Sequence, residues 1–190
     1  MNRQTILFDL DDTLIYCNKY FMAVIERFAV MMSGWFAGYG FTPKDFKRTQ
    51  KRLDLAGVKA HGFVKERFPQ SLVETYDYYS ARAGRKKSGE EARRLFELGL
   101  SVYEQNIEFY PHMEQTLTAL QANGHDLILY TGGDENVQRA KVKKGRLERF
   151  FAEKIYVAPY KTTDDLQRIL QLENLRREST WMVGNSERTD

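Results

Sequence analysis

Three short apolar runs lie after Pro111, each separated from the next by a helix-length stretch, and they leave that part of the chain few ways to fold. The runs are DLILYTGG from Asp126, a short segment at Ile155 to Val157, and TWMVG from Thr180 to Gly184. Helical patterns fill the gaps across about Glu135 to Phe151 and Thr163 to Leu172. Ahead of the first run, MEQTLTALQANGH reads as an amphipathic helix ended by Asn123-Gly124. Strands alternating with helices of this length pair in parallel through right-handed crossovers. A fourth run, Thr5 to Phe8, is apolar and β-prone and belongs inside the same sheet.

The region between that first strand and Pro111 has another texture. From Lys19 to Phe36 apolar residues recur at helical spacing, among them Phe21, Val24, Ile25, Phe28, Met31, Met32, Trp35 and Phe36. GYGFTPKDF then marks a break and a fresh start, with Thr42 as N-cap and Pro43 in the first turn. A second break at Gly84 to Gly89 places Ser88 to cap a helix running to about Asn106. The expected organisation is an α/β core of residues 1–17 and 109–190, interrupted by an all-helical insert over 18–108.

Composition sets the class. A hydrophobic fraction of 42% is that of an ordinary globular protein, and a net charge of +3 does not call for a nucleic-acid partner. The single cysteine, Cys17, excludes an internal disulfide and fits a reducing compartment. The N-terminal carboxylates come too early for a signal peptide, and nothing approaches the ~20 apolar residues that a membrane span needs. A cytoplasmic protein without membrane contact is expected; the oligomeric state is left open.

The chemistry gathers at the ends of the strands, where open parallel sheets bind ligands. DLDDT follows the first strand, TGGD the second, PYK the third and GNSERTD the fourth. Each cluster alone is a weak signal, and their coincidence is a strong one. Asp9, Asp11 and Asp12 crowd together, and at ~4 Å with an effective dielectric near ~20 one such pair costs about 4 kcal/mol. Asp9 and Asp11, two apart, project to one side if strand geometry persists, with Leu10 pointing away. A hard divalent ion with oxygen ligands, Mg²⁺, would relieve the repulsion.

DLDDT, TGG, Lys161 and GNSERTD, in that order, resemble the four motifs of the haloacid dehalogenase-like hydrolases, most of which are phosphatases. The helical insert resembles the cap of the family's alpha-helical (C1) cap class. The resemblance implies a three-layer, Rossmann-like parallel sheet core. It implies Asp9 as the nucleophile that forms an aspartyl-phosphate, and Asp11 as general acid and base whose main-chain carbonyl also ligates Mg²⁺. Thr131 and Gly132 would bind the phosphoryl group, and Lys161 would supply positive charge to it and to Asp9. Asp190 would complete the metal site together with Asn185, which stands where the family usually has an aspartate. A second acid two residues after the nucleophile favours phosphate over halide. Family members usually continue through a further helix and strand, so the core is expected to be shortened at its C-terminal side, with the fourth strand at an edge.

The expected activity is hydrolysis of a small phosphorylated metabolite. A phosphomutase of the same family, or a weakened module that binds a phosphorylated ligand or partner, are the alternatives. Several residues carry plainer readings. Asp11 or Asp12 can cap a turn, Lys154 competes with Lys161, and Cys17 is a small packing residue. The Phe21 to Phe36 stripe reads as helix packing. The basic runs Arg85 to Lys87 and Lys141 to Lys144 read as solvated faces, and His61, His112 and His125 show no metal-ligand spacing.

Overall fold

The computed structural model describes residues 3–186. Two compact units divide the chain: Met1–Asn18 with Asn106–Asp190, and Lys19–Gln105.

The first unit is built on a parallel sheet of four strands among the described residues: β1 (Thr5–Phe8), β2 (Asp126–Gly132), β3 (Ile155–Ala158) and β4 (Thr180–Val183), in the order β3-β2-β1-β4. Phe8 pairs with Leu129 of β2 on one side and with Val183 of β4 on the other, so β1 is central and β4 is an edge. Strand alternation sorts the side chains into two cores. Phe8, Leu127 and Leu129 enter one cluster with Met113, Leu117, Val142 and Phe151, whereas Leu7, Ile128 and Tyr130 enter another with Ala158 and Ile169. Residues of both faces of β1 and β2 are thus buried, and these two strands read as continuous apolar runs because each face is covered, whereas Trp181 and Val183 leave one face of β4 exposed.

Helices α5 (Met113–Ala122), α6 (Glu135–Lys144) and α7 (Glu148–Phe151) supply the first cover, and α8 (Thr163–Leu172) supplies the second. The result is the three-layer α/β sandwich expected from the sequence. The helix expected across Glu135 to Phe151 is two helices. Gly145 donates its N–H to the carbonyl of Lys141, Arg146 takes a left-handed φ of 51°, and Leu147 donates to the carbonyl of Val142. These bonds close the end of α6 and turn the fully buried Leu147 into the core. Helical periodicity continues across the break because Leu147, Phe150 and Phe151 still face the sheet.

The second unit is helical: α1 (Asn18–Trp35, its first residue belonging to the first unit), α2 (Pro43–His61), α3 (Arg67–Arg82) and α4 (Gly89–Leu100). Thr42 caps α2 in a full capping box with Asp45, and Ser88 caps α4. The helix expected to reach Asn106 ends at Leu100 and tightens into a 3-10 turn at Ser101–Glu104. The expected stripe packs as expected: Val24, Phe28, Met32 and Phe36 share one core with Phe46, Leu72, Tyr76, Tyr79 and Leu95. α3 and α4 approach closely at Gly99, where a Cβ would stand 2.5 Å from Cα of Pro69. Any side chain there would force the helices apart.

Candidate active site

The loop after β1 resolves its crowded carboxylates by giving each a separate partner. Asp9 is 5% exposed, and its main-chain N–H donates to the carbonyl of Val183, which ties the loop to the end of β4. Its Oδ1 lies 2.7 Å from Nζ of Lys161, and its Oδ2 accepts from the Thr13 hydroxyl at 3.3 Å. Leu10 turns into the core and is fully buried. Asp11 meets Lys141, whose Nζ lies 2.8 Å from Oδ1 and 2.7 Å from Oδ2. Asp12 adopts a left-handed φ of 57° and accepts from the main-chain N–H groups of Cys17 and Asn18 where α1 begins. Of the three acids, Asp12 therefore carries the plain capping role that the sequence left open between it and Asp11.

Lys161 reaches Asp9 from the turn after β3, one residue before Thr162 caps α8. Its stem passes Gly132, where a Cβ would come within 3.6 Å of Lys161 Cγ, and its Nζ lies 5.9 Å from the centre of the Tyr130 ring. The pair with Asp9 is nearly closed to solvent, with 8% and 7% of the two side chains exposed. The competing Lys154 instead pairs with Glu173 at 3.2 Å. Burial pushes the Tyr130 phenol up to about 12, so it stays protonated beside the lysine.

Thr131 and Gly132 end β2, and Thr131 is fully buried. The buried amide of Gln138 touches both: its Nε2 lies 2.9 Å from Thr131 Oγ1 and 2.9 Å from the carbonyl of Gly132. The same Nε2 lies 3.0 Å from Oδ2 of Asp11. Asp11, Thr131 and Gly132 thus belong to one hydrogen-bonded network through Gln138, and Asp9 and Lys161 form a separate pair whose lysine stem passes Gly132, all at the carboxyl ends of β1, β2 and β3. Asn185 is exposed, two residues past Val183 and so just beyond the β4 end that receives the Asp9 N–H. Asp190 lies outside the described residues. Among the described residues, no three His, Cys, Asp or Glu side chains gather as metal ligands.

Two residues of this network were missed in the sequence. Lys141 heads a basic run expected to be solvated, yet only 19% of its side chain is exposed and it holds Asp11. Burial works to lower the Lys141 ammonium, and the charge and hydrogen bonds of Asp11 outweigh it, leaving it above its ordinary value and charged. Gln138 carried no signal of its own; its spacing of three from Lys141, which places both on one face of α6, was the available clue. Arg85, from the other basic run, is likewise not simply solvated and binds Glu91 through both ends of its guanidinium. Cys17 Sγ lies 3.7 Å from Lys141 Nζ, and burial, with the Asp11 charge second, pushes its thiol up to about 12. A thiol so protonated is no nucleophile.

A family model of haloacid dehalogenase-like hydrolases matches residues 4–190. The chain belongs to that family, and it is a hydrolase whose core has an α/β architecture. A haloacid dehalogenase-like family hydrolase from Xanthomonas campestris superposes with a TM-score of 0.84 at 23% identity, over 99% of this chain and 75% of that one. YfnB from Bacillus subtilis, solved bound to magnesium, gives 0.62 at 18% identity over 100% and 83% of the two chains. A predicted phosphoglycolate phosphatase from Haemophilus somnus gives 0.54 at 15% identity over 98% and 79%. At these identities the likeness is one of fold. No curated protein matches the chain.

Proposed function

We propose that the chain is a cytoplasmic, Mg²⁺-dependent phosphomonoester hydrolase that acts on a small phosphorylated metabolite, with the helical unit as its cap. The observation that carries this reading is the buried pair of Asp9 and Lys161, 2.7 Å apart, at the carboxyl end of the central strand. A buried carboxylate beside a buried cation is an arrangement for attacking and neutralising a phosphoryl group, where charge neutralisation and positioning supply most of the catalysis. Asp9 attacks phosphorus, the bond to the leaving oxygen breaks, and Asp11 delivers a proton to that oxygen. In the second half Asp11 takes a proton from the water that attacks the aspartyl-phosphate, which frees Asp9. Thr131, at the end of β2, donates to the phosphoryl oxygens, and Gly132 lets the backbone approach them closely.

The donors assigned to the metal are the Asp9 carboxylate, the Asp11 main-chain carbonyl, the Asn185 amide oxygen and Asp190. All are hard oxygen ligands, which fits Mg²⁺. When bound, the ion supplies positive charge against the phosphoryl oxygens.

Asp9→Asn tests the reading. The variant is expected to keep the wild-type circular dichroism and melting profile while losing turnover of p-nitrophenyl phosphate by at least about a thousandfold. Appreciable residual turnover by the folded variant would remove Asp9 as the nucleophile.

A further inference from the structure

Helix α6 places two side chains against Asp11 that none of the motifs in the strand-end loops accounts for. Lys141 spans both carboxylate oxygens, at 2.8 and 2.7 Å, and Gln138 reaches Oδ2 at 3.0 Å. The orientation of the Gln138 amide follows from its neighbours. A carboxylate and a main-chain carbonyl can only accept, so the nitrogen faces Asp11 and Gly132. The Gln138 side chain is 2% exposed, and its Oε1 is buried with no hydrogen-bond partner on the described protein. Packing alone would favour an apolar side chain there, since a glutamine leaves one polar atom unmatched. The three contacts made by Nε2 are what the residue contributes.

We propose that Lys141 and Gln138 are positioning residues for proton transfer by Asp11, and that Gln138 couples the aim of that carboxylate to Thr131. The proposal rests on the phosphatase reading above. General acid catalysis needs the acid within about 2.6–3.2 Å of the leaving oxygen, and a small misplacement costs on the order of a hundredfold in rate. An aspartate on a loop has two side-chain torsions to settle. A bidentate ammonium from a helix fixes both, and it can release either oxygen to carry the proton. Gln138 adds a link: Oδ2 of Asp11 and Oγ1 of Thr131 share one amide nitrogen, so a shift at the phosphoryl-binding hydroxyl is felt at the acid.

Leaving-group dependence separates positioning from mere structural support. An activated aryl phosphate expels its leaving group without a proton, while phenyl phosphate needs one. With the full chain and Mg²⁺, Lys141→Met is expected to lose about a hundredfold in kcat/KM, which reports the half-reaction that expels the leaving group, on phenyl phosphate and under about tenfold on 2,4-dinitrophenyl phosphate. Lys141→Arg should recover part of the loss, and in an Asp11→Asn background Lys141→Met should cost nothing more. Gln138→Leu should show the same leaving-group bias more weakly, and it carries the test if Lys141→Met does not fold. Equal losses on the two substrates, or none on either, would overturn the proposal while the phosphatase reading stands. A wild-type protein inactive on both esters would instead overturn that reading, and this proposal with it.

Discussion

Nζ of Lys161 and Oδ1 of Asp9 stand 2.7 Å apart across 152 residues of sequence, both side chains almost wholly withdrawn from water. Desolvating two charges is costly, and their attraction repays it only while both remain. The pair therefore couples the end of β1 to the turn after β3 in stability.

Removing one partner should expose that coupling. Lys161→Met leaves an uncompensated buried carboxylate and is expected to cost about 3–5 kcal/mol in urea unfolding, with loss of aryl phosphatase activity. Lys154→Met, which breaks the more open pair with Glu173, should cost less than about 1 kcal/mol and leave activity intact. Equal effects of the two changes would mean that Lys161 holds no special place.

The metal assignment has a readout apart from turnover. Mg²⁺ titrated alone into the protein by calorimetry should bind, and Asn185→Asp, which adds a charged oxygen donor, should tighten that binding by about tenfold. EDTA should abolish hydrolysis of p-nitrophenyl phosphate and Mg²⁺ should restore it. Unchanged affinity in Asn185→Asp would place the ion elsewhere.

In the helical unit, Arg85 donates to Glu91 at 2.6 and 2.7 Å, and the Tyr76 hydroxyl adds a third bond at 2.7 Å. The Arg85 hydrogen bonds hold the Glu91 carboxyl below its ordinary value of 4.5, against burial, which pushes it up. A folded-state value below the unfolded one means that the pair's contribution is complete above about pH 4.5 and is lost as the pH falls through the folded value. Glu91→Gln should therefore cost about 1–3 kcal/mol at pH 7 and less at pH 3.5, below the ordinary value of 4.5, where the wild type has lost part of the same contribution. Melting curves of the two proteins that stay equally far apart at both pH values would contradict this.

Much of the fold could be read from local pattern. Thr42 with Pro43, Ser88, and the Thr163 to Leu172 helix were all placed by capping residues and apolar spacing, which act over one or two turns of chain. The strand ends were legible for the same reason, since an apolar run that stops in Asp, Thr or Gly marks its own limit. The misreadings came where periodicity carried across a change in direction. The helix over Glu135 to Phe151 kept its spacing through Arg146, and only the buried Leu147 shows why the chain had to turn there.

By itself, then, the sequence determined the alternation of strands and helices, the helical insert, and the order of the four polar clusters, because each is written in contiguous residues. The tertiary structure decided which lysine faces which acid. Lys161 and Lys154 differ little in local sequence, and Lys141 is the first residue of a basic run; crossovers and strand register bring one to Asp9, another to Glu173 and the third to Asp11. Contacts between Asp11 and residues 127 and 130 positions away depend on how the sheet is assembled and on which face of α6 lies against it. No spacing along the chain encodes that.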